Sequence, residues 1–160
     1  MKPDATTAFS RRALIARLLS LTGAALFVPR ALAQTKTPIT VYKDPGCGCC
    51  GKWVEHMDGS GFRATVINAD MPPVRARYKV PPALQSCHTA TVGGYVIEGH
   101  VPAADVRKLL AQKPAGIVGL TIPGMPQSAP GMDALPFQPY TVLTFAADGK
   151  TAVFTRHTKA

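Results

Sequence analysis

The chain has 160 residues, of which 46% are hydrophobic and 17% charged, a composition that excludes a disordered protein and allows one domain with its own core. The net charge of +9 arises from scattered residues without a long basic run or interleaved aromatic residues, so no nucleic-acid-binding face is expected. The first 33 residues carry five Lys or Arg and one Asp; the remainder therefore has 13 basic against 8 acidic residues and a net charge of +5.

Residues 1–33 have the pattern of an export signal. The pair Arg11-Arg12 precedes an apolar run from Leu18 to Val28, and the tripeptide 31–33 (ALA) offers a small-x-small cleavage site. This run has 11 residues, fewer than the ~20 that a bilayer-spanning helix needs. We therefore expect a twin-arginine signal that is cleaved after Ala33 and a translocase as partner. The mature chain, residues 34–160, is then a single domain in the periplasm.

The mature chain begins with alternating strand and helix patterns. A short β-branched run is broken by the sequence Asp-Pro-Gly, and apolar residues with helical spacing follow it. The predicted elements are a strand at 39–42, a helix at 49–57, a strand at 62–67 and a short helix near 74–78. Pro81-Pro82 is expected to stop any further helix.

The second half contains two hairpin patterns, the first of them around Gly93-Gly94. The predicted elements are a hairpin at 89–92 and 95–98, a helix at 102–112, a strand at 117–122 and a hairpin at 140–145 and 151–154. Up to the helix this is the order of a thioredoxin-like α/β fold, a β-sheet with flanking helices. The Pro/Gly/Met-rich loop 123–139 and the last hairpin are predicted additions packed on that core.

Three of the four cysteines lie in one stretch, 44–53 (DPGCGCCGKW), between the first strand and the first helix. The N-terminus of a helix favours negative charge, so Cys49 and Cys50 are in a position that promotes the thiolate form. We expect Asp44 to cap this helix. The fourth cysteine, Cys87, precedes the first hairpin, where a thioredoxin-like fold brings a cis-proline loop against the C-x-x-C motif. All four thiols are therefore predicted to converge.

Such a cluster has three interpretations. The first is a purely structural role, in which the four cysteines form two disulfides, the default outcome in the periplasm. The second is a thiol–disulfide oxidoreductase that uses Cys47 and Cys50, although Cys49 would divert a mixed disulfide and Cys87 replaces the proline that binds substrate. The third is a soft-metal site. Adjacent thiolates bridge different metal atoms more easily than they chelate one, which suits a multinuclear Cu(I) cluster better than a single zinc ion. An iron–sulfur cluster is a further alternative, without its usual cysteine spacings.

Three sequence blocks resemble a known family: 44–53 (DPGCGCCGKW), 80–89 (VPPALQSCHT) and 95–102 (YVIEGHVP). They are similar to the signature blocks of a bacterial family long described as a domain of unknown function, whose best-described members are periplasmic copper-resistance proteins of the CopG type. The resemblance extends over essentially the whole mature chain. It implies a thioredoxin-like fold and a cysteine-bridged copper cluster, with Cys47, Cys49, Cys50 and Cys87 as ligands.

We therefore expect a protein that binds several Cu(I) ions and acts in copper tolerance by sequestration, by relay, or by cycling copper between Cu(I) and Cu(II). Such cycling would make it a copper oxidoreductase; otherwise it is a metal-binding protein. Its partners would be copper ions and other periplasmic copper carriers or efflux components.

Several other residues carry possible ligand atoms. His88 follows Cys87, although an extended backbone would turn the two side chains in opposite directions. Met125 and Met132, each in a Pro-Gly-Met segment, offer thioethers suited to Cu(I). His100 is expected to be structural. His56 and His157 are expected on the surface.

Overall fold

A computed structural model of the chain describes residues 35–159. The predicted export signal and its cleavage point lie outside the described residues. Between residues 35 and 159, the helices are too short or too polar for any of them to cross a membrane.

The described residues form a single seven-stranded mixed sheet with three α-helices, a thioredoxin-like α/β fold. The elements are β1 (Thr37–Lys43), α1 (Gly48–Gly59), β2 (Phe62–Asn68), α2 (Met71–Arg77), β3 (Thr89–Val92), β4 (Tyr95–Glu98), α3 (Ala103–Gln112), β5 (Ile117–Thr121), β6 (Tyr140–Ala146) and β7 (Thr151–His157). The strand order is β2-β1-β3-β4-β5-β6-β7, with β1–β2 and β4–β5 parallel and the other pairs antiparallel. All predicted strands and α-helices are confirmed.

The main core lies between the sheet and helices α1 and α3. Trp53 and Met57 of α1 and Val106 and Leu109 of α3 are fully buried in one cluster with the inward side chains of β1, β4, β5 and β6. Burying a side chain of this size contributes about 1.5–3 kcal/mol. Trp53 also donates its indole N–H to the carbonyl of Val101 at 2.9 Å. These contacts fix how closely α1 packs on the sheet and how it is rotated about its own axis.

The segment between α2 and β3 differs from its prediction. A 3₁₀ turn spans Pro82–Leu84, where the two prolines were expected to stop helix formation. Proline is accepted in a first helical turn because its missing N–H has no intrahelical partner there. The turn buries Leu84 against Val80, Val96 and Phe145 on the other face of the sheet.

The C-terminal addition extends the core more directly than expected. Strands β6 and β7 continue the same sheet through β5. The long loop between β5 and β6 runs from the ends of these two strands to α1, where Gly131 lies against the backbone of the first helical turns. The loop therefore joins the region of the cysteines.

Candidate metal centre

The cysteine loop is shaped by a turn at its start. Asp44 accepts a hydrogen bond from the Gly46 N–H at 2.7 Å through its side chain, and from the Cys47 N–H at 3.0 Å through its carbonyl. Cys47 itself is the N-cap of α1, with an extended backbone and no side-chain cap bond. The prediction that Asp44 caps the helix is therefore wrong; it closes the preceding turn.

Cys49 and Cys50 lie in the first turn of α1, and Cys87 lies in a bend between the 3₁₀ turn and β3. The Cys87 Sγ lies 3.2 Å from Cys47 Sγ, 3.3 Å from Cys49 Sγ and 3.4 Å from Cys50 Sγ. Cys47 Sγ and Cys49 Sγ are 3.6 Å apart. The predicted convergence of the four thiols is confirmed, and their sulfurs are mutually close enough to hold a metal ion.

The C-x-x-C pair, Cys47 and Cys50, is joined by a disulfide, whereas Cys49 and Cys87 are free thiols. Two disulfides, the structural interpretation of the sequence, are therefore absent from residues 35–159. Cys50 is fully buried and the other three cysteines are partly exposed. The sulfur cluster is therefore accessible to solvent on the side of Cys47, Cys49 and Cys87 and buried on the side of Cys50.

A buried ionic network holds the Cys87 segment. Glu98, fully buried at the end of β4, accepts hydrogen bonds from the Ser86 N–H at 2.8 Å and the Thr89 hydroxyl at 2.6 Å. It also accepts from Arg75 Nε at 3.1 Å, and Arg75 Nη2 donates to the Ser86 carbonyl. Burial raises the pKa of Glu98, and these three donors oppose the rise. The backbone is thus fixed on both sides of Cys87.

Sequence reasoning did not identify Arg75 and Glu98. The sequence feature that could have identified this network is Glu98, a charged residue that ends the otherwise apolar strand β4 (YVIE). A buried carboxylate requires partners.

Two buried histidines lie behind the sulfurs. The rings of Trp53 and His88 are 4.3 Å apart, and those of His88 and His100 are 5.1 Å apart. One ligand atom each from Cys50, Cys87, His88 and His100 lies within 4.8 Å of the others. The expectation that His88 points away from Cys87 is wrong because Cys87 occupies a bend rather than an extended strand. His100, expected to be only structural, lines the same site.

Burial dominates the electrostatics of these groups. It raises the pKa of the Cys87 thiol to about 12, and the neighbouring Cys49 thiol adds to this shift. It lowers the pKa of His88 well below its usual value, and the charge that His100 carries when protonated, together with the charges of Arg75 and Lys43, lowers this pKa further. Burial also lowers the pKa of His100. At neutral pH the imidazoles are therefore neutral and ready to bind a metal. The Cys87 thiol must lose its proton when a metal binds.

The two Pro-Gly-Met segments differ in their surroundings. Gly131, before Met132, is so close to α1 that an added Cβ would lie 2.7 Å from the Trp53 nitrogen and 3.1 Å from the Cys49 carbonyl oxygen. Gly124, before Met125, has open space around it, and Met125 is 43% exposed. The structure therefore places the second segment beside the site and the first at the surface.

The remaining histidines are less exposed than expected. His56 Nε2 accepts a hydrogen bond from the Ala103 N–H at 3.1 Å, at the start of α3. His157 pairs with the buried Asp105 at 2.7 Å and stacks on Tyr140. Both side chains are half-buried and connect elements, so the surface prediction is wrong for both.

Comparison with known proteins agrees with this fold. The family described as "Protein of unknown function, DUF411" matches residues 84–132. No curated protein matches. Two solved structures, forms 1 and 2 of copper resistance protein CopG, are 39% and 40% identical to the chain, each with a TM-score of 0.71. Each match covers 76% of this chain and 98% of CopG. With this identity over nearly the full length of CopG, the chain belongs to the CopG family of copper resistance proteins.

Proposed function

We propose that the chain binds several Cu(I) ions through Cys47, Cys49, Cys50 and Cys87 and acts in copper tolerance. The observation that carries this proposal is the position of Cys87, whose sulfur lies within 3.4 Å of the three sulfurs of the loop. Thiolates are the preferred ligands of Cu(I).

The number and placement of the thiols favour a cluster over a single ion. Three thiols lie within four consecutive positions of the loop, and the sulfur of the fourth, Cys87, lies 3.2–3.4 Å from theirs. Cys49 and Cys50 are adjacent in sequence, which favours bridging between metal ions over joint chelation of one. Several copper ions that share sulfurs fit this donor set.

Copper loading requires reduction of the site. The Cys47–Cys50 disulfide must accept two electrons and two protons from a thiol reductant, which is itself oxidised to a disulfide, before four thiols are available. Copper then replaces the thiol protons. The cysteine oxidation state therefore controls copper capacity.

The test is an anaerobic titration of the mature chain, residues 34–160, with Cu(I), followed by metal analysis and a thiol count. Fully reduced protein is expected to take up more than one copper per chain, and each Cys→Ser variant less. Protein that retains the Cys47–Cys50 disulfide is the matched control and should bind less copper. The proposal fails if the reduced protein, with four titratable thiols, binds none.

The disulfide itself favours a second candidate, a thiol–disulfide oxidoreductase. Cys47 and Cys50 have the C-x-x-C spacing at a helix N-terminus that such enzymes use. This candidate predicts reduction of the insulin disulfides, with Cys47→Ser inactive and Cys87→Ser largely active. The nearness of Cys49 and Cys87 to Cys47 argues against it, because either thiol can intercept a mixed disulfide.

We propose twin-arginine export with cleavage after Ala33, a periplasmic location, and exchange of copper with other periplasmic carriers or efflux components. Met132, next to Gly131 at the site, is a better candidate thioether ligand than the exposed Met125. An iron–sulfur cluster would be recognised in the same metal analysis as iron and inorganic sulfide.

A further inference from the structure

Lys43, the last residue of β1, is a buried lysine with only 9% of its surface exposed. It alternates with Ile39 and Val41, so its side chain leaves the sheet on the face of the main core. Lysine is rarely buried to this extent without a charged partner. Among residues 35–159, no carboxylate forms an ion pair with its ammonium group. The fold therefore buries a positive charge that has no counter-charge in the described part of the protein.

The hydrogen bond of Lys43 places this charge at the start of the cysteine loop. Its Nζ donates to the carbonyl oxygen of Asp44 at 2.9 Å, and the same oxygen accepts the N–H of Cys47 at 3.0 Å. Because the two nitrogens share one acceptor, they lie within about 6 Å of each other. The ammonium group is therefore beside the turn that carries the first thiol.

The charge of Lys43 also acts on the residues behind the sulfurs. Burial is the main cause of the low pKa of His88, and Lys43 is among the positive charges that lower it further. Arg75, the cation bonded to the Ser86 carbonyl next to Cys87, differs because it pairs with Glu98 at 3.1 Å. Lys43 thus leaves an uncompensated positive charge near the thiols of the metal-free protein.

We infer that Lys43 supplies the counter-charge for the thiolates that hold copper. This inference rests on the proposed copper binding by the cysteines. Each thiol that binds copper releases its proton and becomes a thiolate, so a cluster with fewer Cu(I) ions than thiolates has a net negative charge. At an effective dielectric constant of ~20, a positive charge ~10 Å from such a cluster strengthens copper binding by roughly tenfold.

This role predicts effects of opposite sign on the metal-free and the copper-bound protein. Without copper, a buried ammonium group with no counter-charge costs stability, and its removal should stabilise the fold. With copper, its removal leaves the thiolates without compensation and should weaken binding. A role limited to the hydrogen bond with Asp44 predicts instead a less stable metal-free protein and no change in copper affinity.

The test uses the mature chain, residues 34–160, with Lys43→Met, which removes the charge and keeps an apolar side chain. The metal-free variant with the Cys47–Cys50 disulfide intact, the state that the structure describes, should melt at a higher temperature than wild type. After reduction, competition with a Cu(I) chelator should show binding that is weaker by roughly tenfold. Lys43→Arg keeps the charge and should retain most of the wild-type affinity.

Lys36→Met is the matched control. Lys36 also donates its ammonium group to a backbone carbonyl, that of Asp58 at 2.8 Å, but it is exposed. Its replacement should change neither the melting temperature nor the copper affinity by a comparable amount.

The outcomes separate this inference from the proposed function. A lower melting temperature for Lys43→Met, including a failure to fold, would overturn the role of Lys43, as would a copper affinity equal to that of wild type. Binding by Lys43→Arg as weak as that by Lys43→Met would also overturn it, because the effect would not follow the charge. Absence of copper binding by reduced wild type would instead overturn the cysteine site and, with it, this inference.

Discussion

Gly131 lies against the amide nitrogen of Trp53: a Cβ built on Gly131 would stand 2.7 Å from that nitrogen, closer than real Cβ atoms approach. The contact joins the loop of the C-terminal addition to the helix that carries Cys49 and Cys50. It also places Pro130, which binds His100, directly beside the site.

Gly131→Ala should therefore destabilise the protein more than Gly124→Ala. Both glycines have a positive φ, +85° and +77°, so both variants lose about 1 kcal/mol or more from backbone strain. Only the change at Gly131 adds a clash with backbone atoms that cannot move aside. Thermal melts of the reduced, metal-free variants measure the difference. Equal melting temperatures would contradict this packing of the loop on α1.

Glu98→Gln should destabilise the Cys87 segment. The amide replaces a carboxylate that accepts three hydrogen bonds, and it leaves Arg75 without its counter-charge. We expect a loss of about 2–3 kcal/mol in the free energy of unfolding, together with weaker copper binding because Cys87 is less firmly held.

Denaturant unfolding and competition with a Cu(I) chelator measure these two effects. Asp148→Asn, which removes an exposed ion pair with Lys150, is the control for loss of one acidic charge and should change neither. A Glu98→Gln variant with wild-type copper affinity would show that the network does not position Cys87.

Stability should fall in acid partly because of His56. Burial lowers the pKa of His56, so the folded protein resists protonation there, while the unfolded chain accepts a proton below about pH 6.5. The unfolded state then binds more protons, and stability decreases as the pH falls through this range. His56→Gln keeps an acceptor for the Ala103 N–H but does not titrate.

The measurement is the melting temperature of metal-free, reduced protein between pH 7.5 and pH 5. His88 and His100 contribute to the acid loss in both proteins, so the difference between wild type and His56→Gln reports on His56 alone. The variant should lose less stability than wild type over this interval. An equal loss of stability in wild type and His56→Gln would show that protonation of His56 does not contribute to the acid effect.

Trp53 should report copper binding by its fluorescence. It is the single tryptophan of the chain, and its ring packs on His88 next to the thiols. Copper bound there is expected to quench the indole emission progressively until the site is full. Titration with Cu(I) measures this, and Cys87→Ser, which removes the central thiol, should show much weaker quenching. Unchanged emission in protein that metal analysis shows to be loaded would place the copper elsewhere.

Local patterns predicted much of this molecule. Alternation, helical spacing and the Gly93-Gly94 turn are short-range signals, and they located every strand and α-helix. The meeting of Cys87 with Cys47 was predictable because the topology brings β3 beside β1. These features depend on sequence neighbours or on the order of elements.

The surroundings of the thiols depend on contacts that no local pattern encodes. Arg75 and Glu98 meet only after α2 and β4 are in place, and the bend at Cys87 redirects His88. The two Pro-Gly-Met segments have the same local sequence, yet only the second reaches α1. Tertiary packing, and not the local sequence, determines which of the two segments contacts α1.

The cysteines and histidines of the candidate site are buried to different extents, so the site has an accessible side and an enclosed side. Cys47, Cys49 and Cys87 are within reach of solvent, whereas Cys50, His88 and His100 are closed off. An ion that arrives from solvent therefore meets the exposed thiols before it can reach Cys50 or the two imidazoles. Exchange with the surroundings is confined to the thiol side.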